Sequence, residues 1–196
     1  QDFVRNVAQI ALKNGSDVEA LSAASYPTGG TVAETLTDNI AKIGENQSLR
    51  RASVVEVTEG VVVPYVHNQV VPGLGKIGVL VALEGAAPAE TLTALGKQIA
   101  MHVAAANPLA LNADELDAEL VERERAIAME KAKESGKPQN IIEKMVGGRI
   151  DKYYKEVTLI DQPWIRDDSK SIADLVKAAG AGVSIKRIAR FQMGQE

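Results

Sequence analysis

Ile77-Gly78-Val79-Leu80-Val81-Ala82-Leu83 is the longest apolar run in the chain. Its length suits a buried strand and falls far short of a membrane span. The same Val- and Ile-rich texture fills residues 61–67 (VVVPYVH) and 52–58 (SVVEVTE). Everything before residue 52, and most of the chain after residue 84, has helical periodicity instead. Three short strands set among helices predict an α+β fold, with an antiparallel sheet and helices on one face. Glu59-Gly60 reads as a tight connection between the first two strands. Pro64 has no backbone N–H to donate, which places its strand at an edge or a bulge.

Upstream, Phe3, Val7 and Ile10 recur at helical spacing, so a helix is expected from the first residues to about Asn14-Gly15. Ser16-Asp17-Val18-Glu19 and Thr31-Val32-Ala33-Glu34 read as capping boxes. Val32, Leu36, Ile40 and Ile43 make one apolar stripe, and Gly44 stands where a left-handed C-cap belongs.

Downstream, Pro88 opens a helix with the stripe Leu92, Leu95, Ile99, Val103 and Ala106, and Pro108 follows its end. Asn112 with Glu115 predicts the start of a long polar helix running to about Ser135. Acidic residues crowd its first turns, and Lys131 and Lys133 its last, as the helix dipole favours. Gly136-Lys137-Pro138 turns the chain into a second helix. The narrow seam of Leu120, Ile127, Ile142, Met145 and Ile150 predicts an antiparallel helical hairpin. A shorter helix is expected over roughly 169–179, and a strand over 183–193.

The chain has 196 residues, 45% of them hydrophobic, enough for one domain or two small ones. Net charge is −4 and the pI about 5.4, the opposite sign to that of a typical nucleic-acid binder. Aromatic residues make up only 4%, which disfavours base-stacking platforms. With no cysteine there is no disulfide, thiolate nucleophile or zinc–thiolate site. No signal peptide is visible, and a soluble cytoplasmic protein is expected. The start at Gln1, without Met, reads as a cut end.

Residues 73–78 match G-x-G-x-x-G. A dinucleotide loop opens a helix, whereas this one leads into a strand, so a plain glycine loop is the better reading. His67 and His102 lie in different elements without metal-ligand spacing. His102, beside an apolar stripe, reads either as a half-buried hydrogen-bonded imidazole or as an interface contact. No nucleophile or paired-acid spacing is found. The residues therefore describe an α+β binding protein rather than an enzyme, and no cofactor or metal is called for.

The stretches "AKIGENQSLRR" (41–51), "IGVLVAL" (77–83), "IAMHVAAANP" (99–108), "ESGKPQNIIEKMVGGRIDKYYKEVTLIDQPW" (134–164) and "IARFQMG" (188–194) resemble the bacterial elongation factor Ts family. Its members are guanine nucleotide exchange factors of elongation factor Tu. The resemblance runs in the family's order over nearly the whole chain. It implies two small antiparallel-sheet-plus-helix subdomains, residues 1–95 and residues 96–135 with 184–196, and an inserted dimerisation or coiled-coil hairpin at 136–183. It also implies that Ile77, Gly78 and His102 face the nucleotide-binding domain of elongation factor Tu. The family's prying motif, T-D-F-V-A, is not matched by Gln1-Asp2-Phe3-Val4. That segment looks instead like a helix face just downstream of the motif, so the 196 residues are expected to bind but to exchange nucleotide poorly. A second class of function is a self-pairing oligomerisation module built on the hairpin. RNA and membrane partners are disfavoured.

Overall fold

The computed structural model describes residues 1–180 and 182–195. Its contacts divide the chain into two compact units, Gln1–Glu56 and Val57–Glu196.

The first unit is helical. Helix α1 (Asp2–Asn14) buries Val7, Ile10 and Ala11, and Phe3 stacks on Tyr26 with ring centroids 5.8 Å apart. The helical reading of the N-terminal segment therefore holds. Helix α2 (Val18–Ala23) is capped by Asp17, whose side chain accepts from the Ala20 N–H, rather than by a box on Ser16. Helix α3 (Val32–Ile43) carries the expected Thr31/Glu34 capping box and ends on Gly44 in the left-handed region. Leu21, Tyr26 and Val32 complete a small core. Residues 52–58 do not form the expected strand; Ala52 and Val54 pack against this helical core instead.

The second unit carries both sheets. Strands β1 (Gly60–Val71) and β2 (Leu74–Glu84) form a long antiparallel hairpin. Its turn is thus at Pro72-Gly73, not at Glu59-Gly60. Gly60 is already paired with Glu84, and Gly85 N–H donates to the Glu59 carbonyl, which leaves no turn there. Of the glycine motif at residues 73–78 only Gly73 lies in the turn; Leu74–Gly78 already belong to β2, so the motif opens a strand and not a helix. β1 is an edge strand, where Pro64 costs no ladder bond.

Helix α4 (Ala89–Ala106) packs across β1 and β2, burying Leu92, Leu95, Ile99 and Val103 against Val79, Val81 and Leu83. Gly96 makes the approach close enough that a Cβ would collide with the Val63 side chain.

The expected helix from Asn112 is broken. Asn112 caps a single 3₁₀ turn, and helix α5 (Ala118–Glu134) starts afresh after Asp117, whose carboxylate accepts from the Glu119 N–H. Helix α6 (Gln139–Val157) returns antiparallel. The hairpin's buried seam is Ala128, Ala132, Ile142, Val146 and Ile150. Ile127 and Met145, expected in that seam, are 43% and 40% exposed. Alanines line α5 because they let the two backbones close. Arg149 bridges the helices, 2.7 Å from Glu124.

At the hairpin base, Leu109 N–H donates to Val157 O, and Leu159 and Ile160 N–H donate to Ala110 and Leu111 O, fastening it to the chain after α4. The two-stranded sheet β3 (Pro163–Trp164) and β4 (Asp167–Ser171) comes next, joined by Ile165-Arg166. Helix α7 (Ile172–Ala178) begins three residues later than expected, because Ser171 and Asp174 form its capping box. Strand β5 (Ser184–Gln192) joins β2, closing the sheet in the order β1-β2-β5. It thus shares one sheet with residues 60–84. The expected division at 95/96 falls inside α4, and that at 135/136 falls between the two hairpin helices.

Candidate functional site

Ile77 and Gly78 are neighbours on β2 and so point to opposite faces of the sheet. Ile77 pairs with His67 and Gln192, and packs partly against the core under α4. Gly78 stands between Val66 and Phe191, and a Cβ built there would meet nothing within 4 Å. The missing side chain is therefore not a demand of internal packing.

His102 lies on α4 and is 1% exposed. Both ring nitrogens are used within the chain. The Ile165 backbone N–H donates to Nδ1 at 3.3 Å, so Nδ1 is the unprotonated nitrogen. Nε2–H then donates to Gln162 Oε1 at 2.8 Å. The Gln162 amide, itself buried, donates through Nε2 to the Glu156 carbonyl in the last turn of α6, at 2.9 Å. Burial pushes the imidazole pKa below its ordinary value, and the Gln162 bond opposes that shift only in part. The ring is held neutral, in one tautomer. The expectation of an imidazole that hydrogen-bonds across an interface thus meets one already saturated by its own chain. Next to this network, the Trp164 indole N–H is buried with no acceptor among the described residues.

Two residues beyond His102, near the C-terminus of α4, Arg190 donates through Nε and Nη2 to the Ala104 carbonyl, satisfying a helix C-terminal acceptor and favoured there by the helix dipole. Sequence reasoning missed Gln162, Ile165 and Arg190. Their partners lie 60, 63 and 86 residues away, and no local pattern announces them.

Elsewhere, an open hollow of about 700 Å³ in the first unit is lined by Ile10, Lys13, Ala20 and Tyr26 among others. Among the described residues no group of three or more His, Asp or Glu is placed to hold a metal ion, and no helix is long and apolar enough to cross a membrane.

The class these features define is an α+β domain with a projecting antiparallel helical hairpin, whose one deeply buried imidazole serves the junction between the two. Comparison with known proteins makes this specific. The profile of the family described as Elongation factor TS matches residues 1–195. The chain is 61% identical to Elongation factor Ts of Rhizorhabdus wittichii, 59% to that of Sphingopyxis alaskensis and 51% to that of Gluconobacter oxydans. All of this chain is covered in each case, and it spans 65%, 65% and 64% of those relatives' length. The chain belongs to the elongation factor Ts family.

Proposed function

We propose that this chain forms the core and hairpin of a guanine nucleotide exchange factor that binds elongation factor Tu and promotes GDP release. The observation that carries this reading is the family match over residues 1–195. Such a function needs no bond-making group. By linkage, a partner that binds the nucleotide-free state more tightly than the GDP-bound state weakens GDP by the same factor. A cytoplasmic setting goes with that role.

Contact is assigned to Ile77, Gly78 and the neighbourhood of His102. In support, Gly78 leaves open space in which a partner's backbone can approach closely. The test is titration of nucleotide-free and GDP-bound elongation factor Tu with this chain. Tighter binding to the nucleotide-free form is expected, and equal affinity for the two overturns the reading. Gly78→Leu fills the open position, and a loss of about tenfold or more in affinity is expected, the effect of roughly 1.4 kcal/mol. Unchanged affinity removes Gly78 from the interface.

A second reading, self-association through the hairpin, is favoured by the exposed Ile127 and Met145 beside its seam. Sedimentation of the chain alone decides it; a monomer across the micromolar range rejects it.

A further inference from the structure

We propose that His102 is a positioning residue: it locks the hairpin base and the Ile165-Arg166 turn onto the core helix α4, and any effect it has on partner binding passes through them. Of the tests, only the affinity measurement rests on the elongation factor Tu reading.

The geometry is a chain of directional bonds across three elements. Ile165 N–H, in the β3–β4 turn, donates to Nδ1; Nε2–H donates to Gln162; Gln162 donates to the final turn of α6. Each link fixes the next. An acceptor role for Nδ1 requires the proton on Nε2, which makes Gln162 present its carbonyl oxygen to the ring and leaves its NH₂ for Glu156 O. The ring has no nitrogen left for a partner, and its burial leaves no surface to offer.

Outside the ring stands the turn it holds. Ile165 is 51% exposed and Arg166 is exposed, so the backbone bond anchors a turn whose side chains face outward. Through these bonds a single ring ties α4, the hairpin and the turn together. Buried networks that are fully satisfied are the ones that specify a single arrangement.

Two conservative variants divide the network. His102→Asn keeps an acceptor near the Nδ1 position, and His102→Gln a donor near the Nε2 position. Without any partner present, ¹⁵N shifts of the ring should show neutral imidazole protonated on Nε2. Amide exchange at Ile165 should accelerate about tenfold or more in His102→Gln, the loss of one buried hydrogen bond, and stay slow in His102→Asn. Exchange in the last turn of α6 should show the reverse. A ring protonated on Nδ1, or identical exchange in both variants, overturns the proposal.

With elongation factor Tu, Gln162→Ala should lower affinity as much as His102→Ala, and the double variant should lose no more than either alone. Additive losses, or a loss confined to His102→Ala, show a direct imidazole contact and reject the proposal. Should the native chain fail to bind elongation factor Tu at all, the functional reading fails while the ring shifts and amide exchange still decide the positioning role.

Discussion

Gly96 and Gly78 pose the same question, why there is no side chain, and receive opposite answers. Alanine at Gly96 gains about 1 kcal/mol of helix propensity. It also drives a methyl into Val63, a stiff β-branched side chain held on a strand and itself buried. Overpacking of this kind costs about 1–3 kcal/mol. The collision wins, so Gly96→Ala should lower the urea midpoint; a raised midpoint would show that α4 can lift off the sheet at no cost. At Gly78 there is nothing to hit, and Gly78→Ala should leave the midpoint close to unchanged. Sequence periodicity alone could not separate the two, since Gly96 is visible only as a gap in a helix stripe. Contacts within one turn were legible: Thr31 and Glu34 announce their capping box because donor and acceptor lie three residues apart. His102 was legible as a residue of interest but not in its role, because its partners arrive with the hairpin base.

At the scale of elements, the hairpin was legible as two helices and a turn, while its seam was not. Reading large apolar residues as the inner stripe put Ile127 and Met145 inside. The structure puts Ala128 and Ala132 there, one turn position away. Small residues on α5 let Ile142, Val146 and Ile150 of α6 fill the seam, and Ile127 and Met145 sit on its flank. Ile142→Ala should therefore cost about 2–5 kcal/mol of hairpin stability, and Ile127→Ala no more than roughly 0.5 kcal/mol. Amide exchange along α5 and α6 measures both; equal effects would restore Ile127 to the seam. Gly147 and Gly148 sit mid-helix in α6 with nothing within 4 Å of a built Cβ. Alanine at either should slow exchange in α6, with a gain of about 1 kcal/mol each from helix propensity alone. A loss would mean that the hairpin depends on a bend there. The strand misread at 52–58 has a related cause. Its composition is that of a strand, but a strand also needs a ladder neighbour, and the neighbour of β1 is β2.

At the scale of the whole molecule, pH acts on every group at once, and the windows separate the contributors. Asp167 is held low chiefly by the Ser169 hydroxyl, with Lys170 adding to it, and Asp174 by the Ser171 backbone and hydroxyl. A carboxylate with a depressed folded pKa stabilises above its unfolded value, here 3.8, and that contribution disappears only as pH falls below it. His102 acts higher. Its folded pKa lies below the unfolded value of 6.5, so below pH 6.5 the unfolded chain binds more protons than the native one. Stability therefore falls with falling pH from about 6.5 until the depressed folded pKa is passed, by at most about 1.4 kcal/mol per pH unit for the single group. Glu156, whose carbonyl closes the network, pairs through its carboxylate with Arg149 and Lys152, and Arg190 holds the Ala104 carbonyl in the same C-terminal stretch of α4 as His102. The chain's single tryptophan, Trp164, lies in the same unit as His102, so its fluorescence follows the relevant unfolding. Urea midpoints read from Trp164 should drop between pH 7 and pH 5.5 in the native chain. In His102→Asn, which cannot take up the proton, the drop should shrink. An identical drop in the two proteins would mean that the imidazole is free to charge in the folded state, and that the junction of hairpin and core does not depend on its neutral form.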